Sequence, residues 1–532
     1  MKPLIYDAKV RKKFLIVMGA LLALSILLVP LKAVKVKMLP FDNKNEFQVI
    51  LDMPEGTSLD RTAQVIEELA QYLQTVPEVD NIEAYVGQSA PYNFNGLVRH
   101  YYLRKGTYQA DLQVNLRGKH ERRRQSHDIA KAVRPKVHEI VASYGGHVQV
   151  AEVPPGPPVL STLVMEIYGP DNAERHRLAQ DVKAIMAKHS SVTDVATYEA
   201  ADEKLLRFPI NREVANLNGI PPELIASTVA AALGGKSVDL AHLSGEYEPV
   251  EIILRLPLEK RKDIEGLLTM TLLSKTGVPV ALKQLLEVDQ TLKDKPIYHK
   301  NLMRVSYVLG DVAGPFESPV YVLFDLEKKF KKLAVPAASR EQKNLMMHWV
   351  DMPKNEAEWG IKFDGEWQIT HEVFTDLGLA FAIVLVLIYV LVVGWFQSFK
   401  VPVIIMLPIP LTLVGILPAH WMTGMFFTAT SMIGMIAGAG IVVRNSIILV
   451  DFIQLRLKEG MSLEEAVIDA GATRFRPMLL TAMAVVIGAS VILFDPIFQG
   501  LALSLMAGEI ASTILSRTAI PVIYYLAMKE KI

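Results

Sequence analysis

The sequence predicts a membrane α-helical bundle of six spans carrying a large extracytoplasmic α+β domain. Three observations predict it. Long apolar runs gather at the two ends of the chain, charges concentrate between about residue 36 and residue 370, and that middle stretch alternates strand and helix patterns. Of 532 residues 51% are apolar and the mean hydropathy is positive, high for a wholly soluble protein. The 56 basic and 56 acidic residues balance, so no net field selects nucleic acid. The chain has no cysteine, which excludes disulfides, thiolate metal sites and cysteine nucleophiles. No serine–histidine–acid set or glycine-rich phosphate loop has supporting context, "GDVAG" (310–314) reading as a turn. The expectation is a non-enzyme without a cofactor.

A helix needs about 20 apolar residues to cross a bilayer. Phe14–Leu31 is the first span, an uncleaved anchor because no small-residue cleavage pattern precedes "LKAVKVK". Leu377–Phe396, Val401–Leu417, Phe426–Phe452, Pro477–Leu493 and Leu501–Leu526 follow as the other five. Six spans put both termini on one side. Lys2, Lys9, Arg11, Lys12, Lys13, Lys400, Arg456, Lys458, Arg474, Arg476, Lys529 and Lys531 all fall on that side, while loops 418–425 and 494–500 hold no lysine or arginine. The positive-inside rule therefore makes the termini cytoplasmic and the large domain extracytoplasmic.

Within that domain "FQVILDM" (47–53), a helix through "EGTSLDRTAQVIEELAQYL" and "PEVDNIEAYVG" make a βαβ unit. A strand near 107–117, a helix near 124–143 and "GHVQVAEV" repeat it, and "PPGPP" (154–158) is a stiff break. The pattern restarts with "STLVMEIYG", a helix through "AERHRLAQDVKAIMAKH" and "SVTDVATYE". "VPEVDNIEAY" and "HSSVTDVATY" occupy the same place in the two units, consistent with βαββαβ ferredoxin-like lobes. Residues 205–295 read as an insertion with a capped helix after "GIPP"; "KNLMRVSYVLGDV" resumes the lobe and a helix follows near 317–332. The division is 1–35 for the N-terminus and first span, 36–160 for one lobe, 161–204 with 296–370 for a second, 205–295 for the insertion, and 371–532 for five spans. "KHERRR" (119–124) is either an anion patch or a solvated helix start. In "LMMHWVDM", Met346, Met347, His348 and Met352 offer soft ligands for Cu(I) or Ag(I), against the duller reading of methionines packing a core.

Charges inside the spans are the more informative residues. Arg444 lies in Phe426–Phe452, where only Asp451 is also charged. A charge at that depth costs from ~2.5 to more than 10 kcal/mol depending on how it is assessed, and so marks a pathway or a partner. Snorkelling to the surface is the plain alternative. Side chains tilt toward a helix's N-terminus, here the outer end, so Arg444 points toward the bilayer centre. Asp451 shares its face but lies about 10 Å nearer the cytoplasm, a poor partner. Gly434 and Gly438 form a G-x-x-x-G, which either admits a close helix or is ordinary glycine tolerance. Glu509, Thr513 and Arg517 recur at i, i+4 and i+8 in the last span, a polar stripe that either carries protons or pairs charges between helices.

"GIVVRNSIILVDF" followed by "EGMSLEEAVIDAGATRFRPMLLTAM" resembles the resistance–nodulation–division (RND) transporter superfamily, and specifically the C-terminal half of such a transporter. The resemblance implies porter lobes at 36–204 and 296–370 and a docking insertion at 205–295. It places Arg444 where the family's drug exporters have a lysine facing paired aspartates of the N-terminal half. Asn445 follows as in the family, and Thr481 falls near a polar position of the next helix. Arginine keeps its proton at any ordinary pH, which makes Arg444 a fixed counter-charge. The paired aspartates are absent, and Glu509 and Arg517 lie where many exporters are apolar. The resemblance implies a proton-driven exporter of hydrophobic or amphiphilic compounds in a bacterial inner membrane, with its large domain in the periplasm. Its implied partners are a separately encoded N-terminal-half RND chain, further copies of that pair in a trimer, a periplasmic adaptor (membrane fusion) protein, an outer-membrane channel and the lipid bilayer, but no nucleic acid. Alternatives are a truncated or non-transporting assembly module, a heavy-metal exporter, and a D/F-like protein-secretion subunit, whose D-A-N-V-L-I motif has aspartate where this chain has Val443.

Overall fold

The computed structural model describes residues 1–153, 156–314, 317–334 and 344–529. The first two prolines of the "PPGPP" break, and Lys531, lie outside the described residues. The chain divides into two compact units, Met1–Glu199 with Ile297–Ile532, and Ala200–Pro296.

Helix α1 (Ala8–Leu27) opens the larger unit, its first turn capped by Asp7, which accepts from the Lys9 and Val10 amides. The chain then enters a βαββαβ unit: β1 (Glu46–Asp52), α2 (Leu59–Gln74), β2 (Val79–Gln88), β3 (Lys105–Leu116), α3 (Ser126–Ala142) and β4 (His147–Ala151). The sheet order is β2-β3-β1-β4, antiparallel throughout, so the first strand of the chain lies in the interior. Alternation along β1 turns Phe47, Val49 and Leu51 onto one face, where Val65, Leu69 and Leu73 of α2 and Val133 and Val137 of α3 meet them. Ser58 caps α2 through the Arg61 amide.

A second unit repeats the connectivity: β5 (Leu163–Tyr168), α4 (Asn172–Ala187), β6 (Val192–Thr197), β7 (Ser306–Val312), α5 (Pro319–Phe330), β8 (Met346–His348) and β9 (Gly360–Gly365). Its order is β8-β9-β5-β7-β6, with only the β8–β9 pair parallel. Every residue of β5 and β7 is buried. Trp359 is fully buried against Gly169, where a Cβ would stand 2.2 Å from the indole. Between β6 and β7 the chain builds the smaller unit around Ile220, Ile225, Leu282 and Leu285. Its helix Pro222–Leu233 starts without the side-chain cap expected for it. Pro221 and Pro222 begin it instead, proline's fixed φ suiting a first helical turn.

The C-terminal third is helical: α6 (Glu366–Phe396), α7 (Lys400–Met406), α8 (Pro408–Leu411), α9 (Leu413–Thr423), α10 (Ala429–Lys458), α11 (Leu463–Thr473), α12 (Phe475–Ser490) and α13 (Gln499–Met528). Helices α7 to α9 form one interrupted rod around Pro408 and Pro410, and α11 runs on into α12. Five helical stretches among the described residues are long and apolar enough to cross a membrane. The first predicted span, which starts within α1, is not among them. Bases at 9, 11, 12 and 13 leave only Phe14–Leu27 apolar, about 21 Å of helix at 1.5 Å per residue, against a hydrocarbon core of about 30 Å. Past α1 the chain pairs with the start of α10: Phe427 donates to Lys35 O at 2.8 Å and Lys37 to Phe427 O at 3.2 Å.

Candidate functional site: polar residues between the membrane helices

Helix α13 lies against both α9 and α10 because small residues let the backbones meet. A Cβ on Gly434 would stand 2.6 Å from Leu501 O, and one on Gly415 would stand 2.2 Å from Ala507 O. Gly438, the other glycine of the G-x-x-x-G, is buried yet a Cβ there meets nothing within 4 Å. The close approach therefore belongs to Gly434, and Gly438 leaves open space.

The α10–α13 seam holds a carboxylate. Glu509 is 1% exposed and Asn445 is 5% exposed. Asn445 Nδ2 donates to Glu509 Oε1 at 3.2 Å, and the Thr513 hydroxyl donates to the same oxygen at 3.4 Å. Glu509 Oε2 is buried without a hydrogen-bond partner, as is Ser504 Oγ on the same helix. Arg444, next to Asn445 on α10, is exposed on the helix surface. Among the described residues it forms no ion pair with any carboxylate, the exposed Asp451 included. Arg517 leaves the stripe expected for it: its guanidinium stacks on Phe475 at 3.9 Å from the ring centre. Thr481 turns back to its own helix, donating to Pro477 O at 3.0 Å. The structure thus gathers Asn445, Glu509 and Thr513, leaves Arg444 at the rim, and sets Thr481 and Arg517 apart.

A second polar group went unpredicted. His420 is buried at the far end of α9, its Nδ1 2.8 Å from Ile416 O and its Nε2 3.0 Å from Ser431 Oγ. Ser431 closes a capping box with Thr428 at the start of α10. A histidine in an apolar run was a readable signal. So was the series Ser504, Gly508, Ser512, Ser516, one small residue per turn on the buried face of α13.

Where the second lobe meets α1 and α6, a cavity of about 590 Å³ opens, lined mostly by apolar side chains such as Val29, Val320, Phe324, Trp367 and Phe374. A buried ion pair ties the two lobes together, and another lies within the second lobe. Arg99 meets Asp311 at 3.1 Å, and Asp311 also accepts from the Thr162 amide and the Ser161 and Thr162 hydroxyls. Burial pushes the Asp311 carboxyl up, but Arg99 and these donors outweigh it and hold it below the usual carboxylate range. Glu166, fully buried, accepts from Lys300; burial first, then the neighbouring Asp364, raises it to about 7.

The soft-ligand set does not assemble. Met346 is exposed at the sheet edge, Met347 packs into the lobe core, His348 pairs with Glu358 at 3.0 Å, and Met352 joins another cluster beside Tyr168. Strand alternation sends 346 and 347 to opposite faces. No group of three or more histidine, aspartate or glutamate side chains able to hold a metal occurs among the described residues. Nor is "KHERRR" an open anion patch. Arg122 donates to the carbonyls of Arg117, Arg124 and Lys44, and Arg124 pairs with Glu78.

The sequence profile of the AcrB/AcrD/AcrF family matches residues 7–528. The chain belongs to that family, within the RND superfamily. Among the relatives of this AcrB/AcrD/AcrF-family chain is the swarming motility protein SwrC of Bacillus subtilis, 25% identical over 69% of the chain and 33% of SwrC. The cobalt-zinc-cadmium resistance protein CzcA of Cupriavidus metallidurans is 25% identical over 70% of the chain and 34% of CzcA. The multidrug resistance protein MdtF of Escherichia coli is 20% identical over 91% of the chain and 45% of MdtF. The crystal structure of a heavy metal efflux pump superposes with a TM-score of 0.79 at 20% identity, covering 99% of the chain and 52% of the pump. The chain spans about a third to a half of the length of these relatives.

Proposed function

We propose that the chain is half of a proton-driven efflux permease of the inner membrane, completed by an N-terminal half that supplies carboxylates to Arg444. The observation that carries this reading is Arg444 itself. It sits in an apolar span, exposed on the helix surface, with no carboxylate paired to it among the described residues. Lipid is a costly neighbour for that charge and an acid on a facing helix is a favourable one. Protonating the acid removes its attraction to Arg444, the facing helices shift, and the lobes open and close in response. The apolar cavity beside Phe324, Trp367 and Phe374 suits a hydrophobic or amphiphilic compound taken from the outer leaflet or the periplasm. The termini are cytoplasmic, α1 crosses together with the apolar turns Leu28–Leu31 that continue it, and the unit Ala200–Pro296 docks to an outer channel in a trimer with an adaptor.

A second reading, metal-ion export, is favoured by relatives named for cobalt, zinc and cadmium resistance. The scattered methionines of 346–352 speak against a site for such an ion in this half. Accumulation of a lipophilic dye, set against sensitivity to cobalt, zinc and cadmium, in cells with and without the protein separates the two. The pairing is tested by cross-linking. The chain has no cysteine, so Arg444→Cys provides a unique thiol. A cross-link from it to a cysteine on the intramembrane face of an N-terminal half supports the reading, and its absence across a scan of that face overturns it.

A further inference from the structure

We propose that Glu509 is a proton-exchanging carboxyl built into this half, held by Asn445 and Thr513 in the α10–α13 seam. The inference rests on the efflux reading and deepens it: this half contributes a proton site of its own, beyond the counter-charge it presents to a partner. Helix rise places Glu509 ten residues, about 15 Å, along α13 from Gln499, about a third of the way along this 30-residue helix.

The two oxygens of Glu509 differ. Oε1 takes both donated hydrogen bonds, from the Asn445 amide at 3.2 Å and from the Thr513 hydroxyl at 3.4 Å. Oε2 is buried with none. A carboxyl 1% exposed and left with a bare oxygen holds a proton there, because an unpaired buried anion is far more costly than a buried acid. A metal ion suits the site poorly. It needs several oxygen lone pairs turned inward, whereas both neighbours turn donors toward the carboxylate and leave one oxygen uncommitted. A proton needs one.

The charged surroundings are sparse. On α10 the charged residue beside the contact is Arg444, which adjoins Asn445 and is exposed. Helix α9 faces α13 at this level with Thr412, Gly415 and Ile416, none titratable. Helix α12 carries Arg476, exposed in its first turn, and Arg517 is engaged with Phe475. When Glu509 gives up its proton, the new negative charge is answered by Arg444 at the rim. The protonation state is thereby reported to whatever faces Arg444. Polar side chains border Glu509 along the seam: Ser504, with its own buried unpartnered hydroxyl oxygen, on the Gln499 side, and Ser512 and Ser516 on the other. One proton enters at Oε2 and the same proton leaves, with no co-reactant.

The test is pH-difference infrared spectroscopy on the purified chain in liposomes, which reads the carboxylic-acid C=O band and needs no transport. The expected result is a titrating band that is lost in Glu509→Gln, shifted in frequency in Asn445→Ala, retained in Glu509→Asp, and unchanged in Glu459→Gln, an exposed loop control. A band of full size in Glu509→Gln overturns the proposal. So does a wild-type band that appears only when sodium is withdrawn, which makes the site a cation site. A chain that shows the Glu509 band but exports nothing sinks the efflux reading and leaves this assignment standing. A chain that exports while Glu509→Gln leaves the band intact does the reverse.

Discussion

Asp311→Asn isolates the worth of the charge that joins the two lobes. Asparagine keeps the shape and one acceptor, so the Thr162 amide and the neighbouring hydroxyls retain a partner while the Arg99 guanidinium loses its counter-ion. Arg99 is 7% exposed and Asp311 is 8% exposed, so water does not repair the break. Breaking a buried pair from one side costs about 3–5 kcal/mol. Asp311→Ala goes further and strips the Thr162 amide of its acceptor at 3.1 Å, adding about 1–3 kcal/mol. The double variant Arg99→Met with Asp311→Asn leaves no orphan charge, keeps the acceptor of the Thr162 amide, and recovers most of the single-variant loss. Trp349, Trp359 and Trp367 all lie in or beside the second lobe, so tryptophan fluorescence on heating reports its unfolding. Melting of Asp311→Asn with the wild type, or a double variant as damaged as Asp311→Ala, would show that the buried charge pair does not hold the lobes.

Other perturbations separate the remaining features. Gly434→Leu drives a side chain into the Leu501 backbone; it should lower the melting temperature of the membrane bundle and cost about 1–3 kcal/mol, while Gly438→Ala, with open space around it, leaves melting unchanged. Glu317 accepts from Lys131 and lies 3.5 Å from His127 Nε2; burial pushes it up, but these partners outweigh it and lower it to about 2. Its contribution is complete above the ordinary glutamate value near 4.5 and fades as pH falls toward about 2, so the stability gap between wild type and Glu317→Gln should narrow on acidification from pH 4.5. Met347→Ala with Met352→Ala leaves silver binding by the purified chain unchanged, measured by calorimetry; a lost binding isotherm restores the soft-metal reading.

Much of the fold was legible because the membrane writes itself into composition. The spans follow from apolar length, and the lobes from two passes of strand and helix periodicity. The first predicted span, Phe14–Leu31, differs from its helix at both ends: the helix starts earlier, in basic turns that are not hydrocarbon, and ends at Leu27, before the apolar run does. The site was legible only residue by residue. Arg444, Asn445 and Glu509 stand out as polar groups in apolar runs, but the contact between 445 and 509 depends on the register of α10 against α13. That register is set by Gly434 seating on Leu501 and Gly500 on Ser431. Arg517 illustrates the limit. Periodicity put it on the Glu509 stripe, and a neighbouring helix offered Phe475 instead. The methionines failed for a related reason: adjacency in sequence is separation across a sheet.

The most direct measurement is export by Arg444→Ala, assayed as dye efflux driven by an imposed proton gradient in vesicles containing the complete pump, with membrane abundance matched to wild type. Export should fall to the background of vesicles lacking the protein. Arg444→Lys, which keeps the charge, should retain part of it. Full export by Arg444→Ala at equal abundance would mean that this charge answers no coupling partner.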